Sequence, residues 1–163
     1  LKAKTPIHAD DDIRSLHDRL SELGASLLIT TIEQLLHGTL VPIPQDDQES
    51  SYAPLLTKEH GLINWQSDAH SIQNQIRALA VWPGSYTFVQ GSMLKVYASR
   101  VLTGHGAPGE VLSAGKEGLE VACGHGSLLI TELQAAGSKR LNAAAYLAGH
   151  PIDCGTLLGR VSP

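Results

Sequence analysis

Hydrophobic positions along this chain follow two periods, and the change from one to the other divides it. Between Ile13 and Leu36, apolar residues fall at Ile13, Leu16, Leu20, Leu23, Leu27, Leu28, Ile32, Leu35 and Leu36. Steps of three and four put them on one helical stripe, which predicts a buried face. Asp10, Asp11 and Asp12 stand just before it. Their carboxylates suit the free amides and positive dipole of a helix start. His37-Gly38 suits its end, and Gly24 is a point where the pattern can divide into two helices. Upstream, Leu1, Ala3, Thr5 and Ile7 alternate as a half-buried strand would.

After Pro44–Ser51, a polar stretch without periodicity, the pattern shortens. Ser67 or Asp68 can cap a helix carrying Ile72, Ile76, Leu79 and Ala80, which Pro83 stops. Short β-rich runs follow: Ser85–Val89, Met93–Val101, Gly109–Leu112, Leu119–Ala122 and Ser127–Leu133, punctuated by glycines. A last helix is predicted over Leu141–Ala148, with Asn142 near its start. Such strands with Gly turns suit a small closed or half-closed barrel, and barrels of this kind offer loops and a sheet face to oligonucleotides. The fold class expected is mainly β with α, a barrel preceded by strand and helix.

Charge sharpens the division. The chain carries 12 Lys+Arg against 16 Asp+Glu, a net charge of -4. Residues 1–50 hold four basic and nine acidic residues, whereas residues 51–163 hold eight basic and seven acidic. The overall acidity argues against a molecule whose entire surface grips nucleic acid, but it hides a weakly basic second part. No run approaches the ~18 apolar residues of a membrane span, and no leader pattern is visible. Cys123 and Cys154 are too few for a disulfide framework or zinc cage, so a cytoplasmic setting is expected. The only Met is Met93 and residue 1 is Leu, which leads us to expect more chain upstream.

Candidate chemistry is thin. Gly104-His105-Gly106-Ala107-Pro108-Gly109 fits a dinucleotide fingerprint by letter. That motif must open a helix, yet Glu110-Val111-Leu112 reads as strand, so an interstrand loop is expected. The 8 histidines lack ligand spacing. The helix start explains Asp10–Asp12, both cysteines read as buried structural thiols, and no nucleophile elbow is present. No catalytic residue and no metal or cofactor site is expected. What remains is basic side chains, with Lys139-Arg140 in a turn before the last helix, where phosphate contacts need only positive charge on a shallow face.

Several segments resemble the methionyl-tRNA formyltransferase family in order and spacing. They are Ser51–Trp65, Gln75-Ile76-Arg77-Ala78, Trp82-Pro83-Gly84-Ser85-Tyr86, Pro108–Leu112, Val121–Gly126 and Leu133–Arg140. Upstream, Pro6-Ile7, Leu16–Leu20 and Gly38-Thr39-Leu40 resemble the end of its catalytic domain. The resemblance implies residues 1–43 as the remnant of a Rossmann-like catalytic domain, 44–54 as linker and 55–163 as an OB-like tRNA-binding barrel. It implies formyl transfer from 10-formyltetrahydrofolate to methionyl initiator tRNA, with the catalytic Asn, His and Asp upstream of Leu1. This piece would contribute tRNA binding through Lys58, Lys139 and Arg140, and through Arg77, Lys95, Arg100 and Arg160. Departures from the family pattern are Leu79-Ala80-Val81 before Trp82, Asn64 before Trp65, and Ser138 in place of a lysine. Two other readings are a related amino-sugar formyltransferase and a stand-alone module that self-associates through the stripe at 13–36.

Overall fold

The computed structural model describes residues 1–159. The chain divides into two compact units, Leu1–Leu55 and Leu56–Pro163.

In the first unit a single helix, α1 (Ile13–Leu36), runs unbroken through Gly24. The Asp12 carboxylate accepts the N–H groups of Arg14 (2.8 Å) and Ser15 (3.0 Å), and the Ser15 hydroxyl accepts the Asp12 N–H (3.1 Å). This reciprocal cap satisfies amides that the first turn leaves free. Asp11 is buried against Arg19, the His8 N–H and the Ser15 hydroxyl. The Arg19 guanidinium, then the His8 amide, hold its carboxyl well below the usual carboxylate range. At the far end His37 caps the helix, and Gly38 takes a φ of +68°.

Two expectations fail in this unit. Residues 1–8 form no strand, because alternation over so few residues does not make one without a pairing partner. The stripe on α1 is also not buried: no residue of the helix is, and Leu28, Ile29 and Leu35 are each more than half exposed. A lone helix supplies the apolar face but no second surface to cover it.

The second unit is an antiparallel sheet with two helices. Its strands are β1 (Ser85–Val89), β2 (Ser92–Leu102), β3 (Val111–Gly115), β4 (Gly118–Ala122), β5 (Ser127–Ala135) and β6 (Leu141–Asn142). The order is β1-β2-β5-β4-β3, with β6 also paired to β5. Helix α2 (Ala69–Ala78) starts at Asp68, whose carboxylate accepts the Ser71 N–H, and α3 (Ala143–Gly149) starts at Asn142. Leu94, Val96, Leu119, Val121, Leu128, Ile130 and Leu133 face inward, where Ile72 and Ile76 of α2 and Leu147 of α3 meet them. The Gly104–Gly109 stretch is a loop between β2 and β3, with no helix after it. Cys123 is buried, but Cys154 is exposed, contrary to expectation, because it lies in a turn outside every helix and strand.

The sheet's two edges are fastened by a segment that belongs to no strand. Along β3, the Val111 N–H donates to Thr156 O (2.9 Å), and the Gly155 N–H donates to Val111 O (2.8 Å). Leu158 N–H reaches Gly109 O (2.8 Å), and Gly159 N–H reaches Phe88 O on β1 (2.9 Å). Residues 155–159 thus join β3 to β1 and turn an open sheet into a partly closed barrel.

Candidate nucleic-acid interface

The barrel wall has a core side and a solvent side. Strand β1 assigns them against the usual rule: Ser85 and Thr87 are buried, whereas Tyr86 and Phe88 are only partly so. Thr87 is tolerated inside because its hydroxyl accepts the indole N–H of buried Trp65 at 3.0 Å. Register carries the outer row across the sheet: Tyr86 faces Lys95, and Lys95 faces Gln134. Phe88 faces Met93 in the next row. Tyr97, two residues beyond Lys95, sits where the β2–β5 register shifts.

A connected polar group holds this surface in place. Tyr97 donates its phenolic O–H to Gln134 Oε1 (2.7 Å), and Gln134 Nε2 donates to Ser138 O in the β5–β6 turn (2.7 Å). Both ends of the Gln134 amide are therefore fixed. Arg140 lies over the Tyr97 ring, 4.6 Å from its centroid, and pairs with Glu132. The ring and the carboxylate together hold the guanidinium at the wall. Beside Lys95, Met93, Gln134 and the 135–137 turn enclose a pocket of about 140 Å³.

The structure therefore brings together three of the cations expected from sequence: Lys95 on β2, Arg140 over Tyr97, and exposed Lys139 next to it. Arg100 is exposed farther along β2, opposite Leu129. Lys58 is exposed in the short turn Lys58–Gly61, which packs on Tyr86: a Cβ at Gly61 would lie 3.2 Å from that ring. Arg77 stands apart on α2, which packs on the core side, and its Nε donates to Asn74 Oδ1 at 3.0 Å. Arg160 lies outside the described residues. The sequence reading missed Tyr86, Phe88, Tyr97 and Gln134. For Tyr86 and Phe88 the signal was the inverted alternation Ser-Tyr-Thr-Phe, with small polar residues where apolar ones are usual.

A cavity of about 620 Å³ lies elsewhere, between Glu59, Trp65, Pro108 and Leu158. Among the described residues its one titratable lining group is Glu59, whose carboxyl is held below its ordinary value by the Thr57 hydroxyl. Among the described residues no three His, Cys, Asp or Glu side chains gather as metal ligands would.

Fold and surface together define a small, partly closed antiparallel barrel with an aromatic and cationic outer wall. Residues 55–151 match the formyl transferase C-terminal domain family, and the chain belongs to that family. It is 59% identical over 158 residues to a methionyl-tRNA formyltransferase of Trichlorobacter lovleyi, covering 97% of this chain and 50% of that protein. A methionyl-tRNA formyltransferase of Citrifermentans bemidjiense is 53% identical over 98% of this chain and 50% of its own length. The chain thus spans about half the length of the curated relatives it matches. A solved variant of HypX from Aquifex aeolicus shares the fold, with a TM-score of 0.63 and 21% identity over 88% of this chain and 27% of that one. Among the described residues no helix is long and apolar enough to cross a membrane.

Proposed function

We propose that this chain is the tRNA-holding half of a methionyl-tRNA formyltransferase, acting in the cytoplasm on methionyl initiator tRNA. Formyl transfer from 10-formyltetrahydrofolate belongs, in this reading, to the other half of the longer protein. The observation that carries it is the cationic wall of Lys95, Lys139 and Arg140 on the domain that matches that family. Phosphates are held by positive charge presented on a shallow surface, with no need for a closed pocket. Lys58 and Arg100, also exposed on this unit, extend the contact. Ser138 removes one cation from the turn, and Arg140, braced by Tyr97 and Glu132, compensates for it.

Residues 1–43 are then the end of the catalytic domain and 44–54 the linker to the barrel at 55–163. The apolar stripe of α1 is the face on which the rest of that catalytic domain packs, since an exposed stripe of this length marks an interaction surface. A sedimentation measurement showing a dimer held through residues 13–36 would assign the stripe to self-association instead.

The test is tRNA binding as a function of salt. The affinity of the chain for initiator tRNA should fall steeply as salt rises, and Lys95→Ala should lower that slope by about one. Salt-independent binding, or formyl transfer by this chain alone, would overturn the reading.

A further inference from the structure

Three of the chain's 7 aromatic side chains, Tyr86, Phe88 and Tyr97, stand on the outer wall of β1 and β2. None belongs to the core cluster or packs against it. Tyr86 and Phe88, both partly exposed, meet edge to face with ring centroids 5.8 Å apart. The Lys58–Gly61 turn packs on Tyr86, and the rest of the pair stays open to solvent. Lys95 stands directly across from Tyr86, and Arg140 is fixed beside it on Tyr97. A face that bound only duplex backbone would need the cations and not the rings. Ring surface interleaved with cations is what an unpaired nucleotide requires: a flat apolar face for the base and positive charge for its phosphate.

We propose that this wall captures one unpaired nucleotide of the RNA, its base against the Tyr86–Phe88 pair and its phosphate between Lys95 and Arg140. The inference rests on the tRNA-holding function proposed above and narrows it, because it sets the barrel against a single-stranded stretch and not against a stem. Gln134 supports the site as a positioning residue. Its amide is already committed to Tyr97 and Ser138, so it keeps Tyr97 and the turn in place and does not read the base.

Fluorescence anisotropy on the full 163-residue chain tests this with three RNAs: initiator tRNA, a short single strand and its perfect duplex. The single strand should bind at least tenfold more tightly than the duplex. Phe88→Leu keeps an apolar side chain but removes the ring. It should weaken single-strand binding by about tenfold, the scale of one lost stacking contact, and leave the salt slope unchanged. Lys95→Ala should instead lower the slope. An unchanged melting temperature for Phe88→Leu shows that the loss is not unfolding. If that variant is destabilised, Tyr86→Leu supplies the same measurement from the other ring. Equal affinity for strand and duplex, with ring variants as tight as the parent, overturns the inference while salt-dependent tRNA binding keeps the broader function standing. Absence of binding to all three RNAs overturns both.

Discussion

Cys123 and Cys154 experience opposite surroundings. Cys123 is 4% exposed, its Sγ facing Val121 O at 3.7 Å, and burial, with the nearby Asp68 charge, pushes its thiol up to about 11. A free thiol titrates near about 8.5. Above that value the unfolded chain has released a proton that the native chain still holds, so stability falls as pH rises from there to about 11. Replacing Cys123 by Ala should remove this alkaline slope in urea melts. In the native protein, a thiol reagent near neutral pH should modify Cys154 quickly and reach Cys123 only on unfolding. The sequence places both thiols near turns and does not separate them. What separates them is tertiary: Cys123 follows β4 into the core, whereas Cys154 sits in an open turn.

Elements show where reading the pattern succeeds and where it stops. Helix α1 is legible because its three-and-four spacing, its Asp12 cap and its Gly38 end all agree; β1 and β5 begin where the predicted β-rich runs begin, and β4 begins one residue earlier. The short β6 and the 155–159 segment are not legible, since neither is long enough to show a period. The outer wall was half legible: the cations were visible as residue types, but the rings that frame them became visible only through register. One contact between elements gives a sharp test. The turn after β4 lies against the start of α2, with Gly124 N–H on Ser67 O (2.9 Å) and Ala69 N–H on His125 O (3.0 Å). A Cβ on Gly124 would stand 1.9 Å from Gln66 O, a backbone atom that cannot swing away. Gly124→Ala should therefore cost about 1–3 kcal/mol or more, read as a lower urea midpoint, by pushing α2 off the sheet.

At the scale of the molecule, the balance of charge is legible and the closure of the barrel is not. The net charge of -4 averages an acidic first part with a slightly basic second one, so it describes neither part. Closure depends on residues beyond the stretch that the family-domain match covers. The family match ends at residue 151, while the fastening of β3 to β1 runs through 155–159, next to buried Ile152 and with Leu158 buried in it. Losing those two buried side chains removes about 1.5–3 kcal/mol each, against a typical total stability of about 5–15 kcal/mol. A chain cut after residue 151 should lose its cooperative melt and scatter light as its freed edges pair with other copies. The bounds of the family match are therefore narrower than the bounds within which the domain can stand. A fragment trimmed to its recognisable core would be a hoop without its clasp, and its failure to bind RNA would say nothing about the surface it carries.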